Sequence, residues 1–110
     1  MKLVFICSPL RGDYAENIKR TQYLCATAAR RYDVIPIAPH IYFTQFLRDS
    51  NPGERELGTQ MGLELLGLCD EVWVDGMNDP SEGMVAEIEA ARIAGIPVRD
   101  LRDYLGVNQR

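Results

Sequence analysis

Short runs of β-branched and aromatic residues alternate along the chain with longer stretches whose apolar residues recur at helical spacing. LVFIC at 3–7, VIPIA at 34–38, EVWVD at 71–75 and PVR at 97–99 read as strands. The stretches at 14–31, 55–69 and 81–95 read as helices, with a short further helix after Asp100. Residues 41–54, IYFTQFLRDSNPGE, carry neither period cleanly and read as a short helix plus a loop near the site. A β-α-β-α-β-α-β order predicts an α/β fold: a doubly wound, mostly parallel sheet of four to five strands with helices on both faces, the Rossmann or flavodoxin-like arrangement. There is no repeat, linker or low-complexity run, so residues 1–110 read as a single domain.

Ligands of such sheets sit beyond the carboxyl ends of the strands, where the strand order reverses. That rule selects SPLRGD at 8–13, the Pro39-His40 pair, and GMNDPSEG at 76–83. Ser8, Pro9, Leu10, Arg11 and Gly12 join the first strand to the first helix, where unpaired backbone N–H groups can meet an anion and Arg11 adds a forked donor. The same residues also fit a tight turn in which Asp13 caps the helix and Arg11 is solvated. Cys7 lies too near Arg11 for the longer Cys-to-Arg loop of cysteine phosphatases. Asp75 ends the third strand run and opens onto the third segment. His40, the sole histidine, stands at a carboxyl edge either as a structural hydrogen-bonder or as a base.

The stretch DGMNDPSEGMVAEIEAAR at 75–92 turns from loop to helix. Asp79-Pro80-Ser81-Glu82 reads as a helix start, with Asp79 the cap, Pro80 first in the helix and Glu82 completing the motif. At about 100° per residue, Met84, Ile88, Ala91 and Gly95 form one stripe toward the sheet, and Glu89 points to solvent. Glu87 lies about 60° from Met84 on the flank of that stripe, near the cleft. The spacing allows it to pair with Arg11 or Arg92, or to serve as a partly desolvated carboxylate in the cleft. Gly83 permits close approach of a ligand to the backbone.

Composition narrows the function classes. A net charge of −4 and a pI near 4.9 oppose binding of polymeric nucleic acid, which needs a clustered basic face. The apolar N-terminal run is too short for a signal peptide or a membrane span, so a cytoplasmic protein without membrane contact is expected. Cys7, Cys25 and Cys69 lack CxxC spacing and fall within predicted elements, so they read as buried small residues with no disulfide. No spaced ligand cluster calls for a metal. Trp73, Tyr42, Phe43 and Phe46 suit core or cleft wall, or else an apolar surface for another protein.

FICSPLRG at the start, APH after the second strand, and SEGMVAEIEAARIAGIPV after the third together resemble the nucleoside 2-deoxyribosyltransferase superfamily, which includes deoxynucleoside 5′-monophosphate N-glycosidases. The resemblance runs from residue 3 to about 99 and looks closest to a phage and bacterial branch sharing the RGD, PH and SEGM..EI patterns. It implies that Ser81-Glu82-Gly83-Met84-Val85-Ala86-Glu87 matches the family's Ser-x-Gly-x-x-x-Glu, making Glu87 the catalytic nucleophile. It further implies that Ser8 to Gly12 and Ser81 hold a 5′-phosphate, that His40, Asp75, Gly83 and Met84 belong to the substrate site, and that a small-molecule nucleotide is the ligand. No cofactor or metal is implied, and a homo-oligomer is. Two positions depart from the pattern. Phe5 stands where a strand-one tyrosine touches the glutamate, and Met61-Gly62-Leu63 stands where an aspartate helps protonate the leaving base. Glu64 and Asp70, the nearest acids, are out of register. The readings left open are an N-glycosidase or transferase, and a nucleotide-binding protein without turnover.

Overall fold

The computed structural model describes residues 1–105, so the last five residues of the 1–110 reading lie outside it. The elements run β1 (Lys2–Cys7), α1 (Tyr14–Arg31), β2 (Val34–Ile37), α2 (Pro39–Phe43), α3 (Pro52–Gly67), β3 (Glu71–Val74), α4 (Glu82–Ile93), β4 (Val98–Asp100) and α5 (Arg102–Leu105). All four strands are parallel in the order β2-β1-β3-β4, a flavodoxin-like arrangement. From β1 the chain crosses to β2 on one side and then to β3 on the other, which sets the order reversal between β1 and β3.

Strand alternation sends successive side chains to opposite faces. Phe5 and Cys7 of β1, with Val72 and Val74 of β3, pack against Leu66 of α3 and against Met84, Ile88 and Ala91 of α4. Val4, Ile6 and Trp73 pack on the other face against Leu24 and Ala28 of α1 and Leu101 and Leu105 at α5. Helices therefore cover both faces. A strand buried on both sides reads as a continuous apolar run, and Val4, Phe5, Ile6 and Cys7 are each at most 1% exposed. Burial of each of Val4, Phe5 and Ile6 contributes about 1.5–3 kcal/mol at full desolvation.

Several boundaries differ from the sequence expectation for identifiable reasons. Helix α3 begins at Pro52, three residues before the expected 55, because Asn51 accepts the N–H of Glu54 at 3.1 Å and proline suits the first helical position. Helix α4 is capped by Ser81 rather than Asp79. Asp79 is held in a turn through its N–H to the Gly76 carbonyl, whereas the extended Ser81 accepts the Met84 N–H at 3.4 Å. Met84, Ile88 and Ala91 face the core as expected and Glu89 is exposed, but Gly95 does not extend the stripe. The helix has ended by then, and Gly95 is exposed with φ +74, the left-handed conformation glycine supplies after a helix. Asp13 precedes α1 without a side-chain cap bond, and Asn17 instead donates through Nδ2 to the carbonyls of Leu10 and Arg11, bracing the β1–α1 turn. Cys7 and Cys69 are buried, Cys25 is half-buried, and all three are free thiols. No helix among the described residues is long and apolar enough to cross a membrane.

Candidate functional site

A cavity of about 440 Å³ opens at the carboxyl edge of the sheet, a volume suited to a small organic ligand. Its wall comes from the β1–α1 turn (Ser8, Leu10, Arg11), from α2 (Pro39, His40, Phe43), from the loop ahead of α3 and α3 itself, and from the first turns of α4 (Ser81 to Met84, Ala86, Glu87). The poorly patterned segment 41–54 therefore does border the site, through Phe43, Thr44, Leu47, Arg48, Asp49 and Glu54. Among the sequence candidates, Ser8, Leu10, Arg11, His40, Ser81, Gly83, Met84 and Glu87 converge on this cavity. Pro9, Gly12 and Asp75 do not line it. Asp75 is 2% exposed and holds Arg20 of α1 in a two-pronged ion pair, Nε to Oδ2 and Nη2 to Oδ1, both at 2.9 Å.

Glu87 is half-buried on α4, beside the core stripe. Its Oε1 accepts the thiol proton of Cys7 at 3.3 Å. Burial pushes the carboxyl up to about 7, against the partial opposing effect of the Cys7 hydrogen bond. The pairing with Arg11 or Arg92 that spacing allowed is not made. Arg11 Nε instead meets Asp49 Oδ2 at 3.1 Å, and Ser81 Oγ faces the Met84 N–H. The thiol of Cys7 is itself driven far up, first by burial and then by the Glu87 and Asp75 charges, so its proton stays on sulfur.

His40, Thr21 and Ser8 form a second polar group. Thr21 is fully buried, donates to the Asn17 carbonyl at 2.9 Å, and lies 2.6 Å from Ser8 Oγ and 3.2 Å from His40 Nε2. Thr21 has one hydroxyl proton, and with that proton on Asn17 both Ser8 and His40 Nε2–H donate to Thr21. Burial lowers His40 to about 4, so it is a neutral imidazole at neutral pH. In that arrangement the Ser8 and His40 Nε2 protons are engaged at Thr21. Proton donors for an anion come from elsewhere in the wall: the Ser81 hydroxyl and the arginines Arg11, Arg48 and Arg55. A Cβ built on Gly83 meets nothing within 4 Å, so the wall is open at that point.

Sequence reading assigned Cys7 and Thr21 no site role, although both contact site residues. Strand alternation was the available signal for Cys7, because it shares a face with Phe5 and hence with α4. The 61–63 window reaches the cavity through Gly62 and Leu63 without an acid. Asp70 is at the opposite end of the sheet, accepting the Leu3 N–H at 2.8 Å, and Glu64 is exposed away from the wall. The carboxylates beside Glu87 in the wall are Asp49, Glu54 and Glu82. Among the described residues no three His, Cys, Asp or Glu side chains are grouped to hold a metal ion.

A parallel sheet with a carboxylate-bearing cavity at its order reversal defines a small α/β domain of flavodoxin-like arrangement, structurally similar to nucleoside 2-deoxyribosyltransferases. The 2-deoxyribosyltransferase from Bacillus psychrosaccharolyticus superimposes with a TM-score of 0.69 at 18% identity, over 87% of this chain and 69% of that one. The 2-desoxiribosyltransferase from Leishmania mexicana gives a TM-score of 0.61 at 19% identity, over 89% of this chain and 62% of that one, so this chain spans under two thirds of its length. At these identities the likeness is one of fold. Comparison with curated proteins gave no match. The chain belongs to the family described as Domain of unknown function (DUF7768), whose model matches residues 2–101.

Proposed function

We propose that this protein cleaves or transfers at the N-glycosidic bond of a nucleoside 5′-monophosphate or related nucleotide, with Glu87 as the nucleophile. The observation that carries the reading is the Glu87 carboxyl, half-buried in the wall of a ligand-sized cavity and hydrogen-bonded by the Cys7 thiol. In its ionised form, an Oε atom attacks C1′ of the sugar as the C1′–N bond breaks and its electron pair leaves with the base. The base takes a proton as it leaves, and water or a second base then displaces Glu87 from C1′. Ser81 and Arg11 are the proposed phosphate donors, since the Ser8 proton is directed at Thr21. Proton transfer to a leaving group is typically worth ~10²–10⁴ in rate. With Gly62 and Leu63 where an acid is expected, turnover should be slow unless Asp49, Glu54 or Glu82 supplies it.

The test is incubation of the wild type and Glu87→Gln with a panel of ribo- and deoxyribonucleoside monophosphates, with released base followed by chromatography. Release by the wild type and not by Glu87→Gln supports the reading. Equal release from both refutes Glu87 as nucleophile. The acid-free 61–63 wall favours a second reading, a nucleotide-binding protein without turnover. Calorimetric binding of a nucleotide with no release of base would select it, and absence of any binding would sink both.

A further inference from the structure

Cys7 closes β1 with no exposure to solvent, and its Sγ lies 3.3 Å from Glu87 Oε1 and 3.9 Å from the Met84 carbonyl oxygen. A thiol has one proton to give. The Met84 carbonyl already faces the N–H of Ile88 one turn along α4, so the nearer carboxylate oxygen takes the thiol proton. We propose that Cys7 is a positioning residue for Glu87: its S–H, fixed by the strand, aims one carboxylate oxygen within the cavity wall and biases the carboxyl toward its ionised form. The inference rests on the reading of Glu87 as the reactive group of the cavity, but its test uses no substrate.

Other charges around the pair are engaged elsewhere or make no bond to Glu87. Asp75, at the end of β3, is bound by Arg20 of α1, and its charge helps to keep the Cys7 proton on sulfur. Arg11 of the β1 turn is bound to Asp49 of the loop. His40 of α2 donates toward Thr21 and is uncharged at neutral pH. From the loop and α3, Arg48, Glu54 and Arg55 line the cavity, and Glu82 does so from α4, yet none forms a hydrogen bond or ion pair with Glu87. Cys7 is therefore the one hydrogen-bond donor to Glu87 among the described residues. A hydrogen bond made to the charged form holds a carboxylate's titration down, so removing the thiol should raise it and a stronger donor should lower it.

The measurement is a ¹³C NMR titration of the Glu87 side-chain carboxyl, assigned by its loss in Glu87→Gln. In Cys7→Ala the midpoint should rise by about one pH unit, the size of one hydrogen bond to a charged group. In Cys7→Ser, whose hydroxyl is a better donor of similar shape, the midpoint should fall below the wild-type value. A merely structural role for Cys7 moves neither midpoint in this ordered way, and equal midpoints in all three proteins overturn the proposal. The infrared S–H region of the unmutated chain, to which the free thiols of Cys7, Cys25 and Cys69 all contribute, gives a readout that needs no folded Cys7 variant. One S–H component, that of Cys7, should move to lower frequency as Glu87 ionises, and that movement should vanish in Glu87→Gln. An S–H region in which no component shifts across the Glu87 titration overturns the proposal equally. Failure of the glycosidic reading, by contrast, leaves both spectroscopic results intact.

Discussion

Glu87 and His40 share one cavity, and burial moves them in opposite directions, the carboxyl up from 4.5 to about 7 and the imidazole down from 6.5 to about 4. The two therefore pull stability in opposite senses as pH changes. Between pH 4.5 and 7 the folded chain holds a proton on Glu87 that the unfolded chain has lost, so this group makes stability fall as pH rises. Between pH 4 and 6.5 the unfolded chain holds a proton on His40 that the folded chain lacks, so that group makes stability rise with pH. In the shared window the contributions cancel. Urea melts of the wild type across pH 4.5 to 6.5 should show little slope from this pair. Glu87→Gln should unmask a rise of up to ~1.4 kcal/mol per pH unit. His40→Gln should unmask a fall instead, and no difference in slope among the three proteins would contradict the opposed burial of the two groups. At this scale the sequence was partly legible. The flank position of Glu87 follows from helical spacing, whereas its partner does not, because the Cys7 contact depends on how β1 and α4 are brought together across 80 residues.

At the scale of elements, β1, β3 and α1 were readable because fully buried parallel strands and a long amphipathic helix leave strong patterns. The start of α4 was less so. The Asp79-Pro80 signal places the cap two residues early, because the turn at Gly76, with φ +94, engages the Asp79 N–H and leaves Ser81 to cap the helix. The outcome gives Ser81 two tasks, capping α4 and facing the cavity, which one substitution can separate. Ser81→Asp keeps an N-cap acceptor and adds negative charge at the positive end of the helix dipole, so stability should change by less than ~1 kcal/mol or rise. The same charge opposes an incoming phosphate. The expected result is a preserved melting temperature with affinity for a nucleoside monophosphate reduced about tenfold or more, equivalent to ~1.4 kcal/mol, and with affinity for the unphosphorylated nucleoside less affected. Equal losses for both ligands would move the phosphate away from Ser81.

Across the whole molecule the sheet separates two packing layers. The Cys7 and Glu87 pair belongs to the layer of α3 and α4, whereas Trp73 turns to the layer of α1 and α5. There Tyr104 stacks on Trp73 at 4.5 Å between ring centroids and 9° between planes, and Tyr32 meets both rings edge-on. Arg31 Nη1 donates to the Leu105 carbonyl at 2.8 Å, tying α5 to the end of α1. The sequence pointed to a short helix after Asp100 but could not show this clamp, whose residues come from three separated parts of the chain. Truncating the half-buried Tyr104 to alanine removes a stacked ring and most of its contact with Trp73, which should cost about 2–3 kcal/mol, below the range for a fully buried aromatic. Tryptophan fluorescence in urea reads this directly, since Trp73 is the sole tryptophan. The sheet lies between this clamp and the cavity, so Tyr104→Ala should leave the Glu87 titration midpoint unmoved. Combined with Glu87→Gln it should change stability by the sum of the single effects within ~0.5 kcal/mol. A larger coupling would mean that the two layers communicate through β1 and β3, and that substitutions in the α5 clamp can reach the carboxylate on the far face.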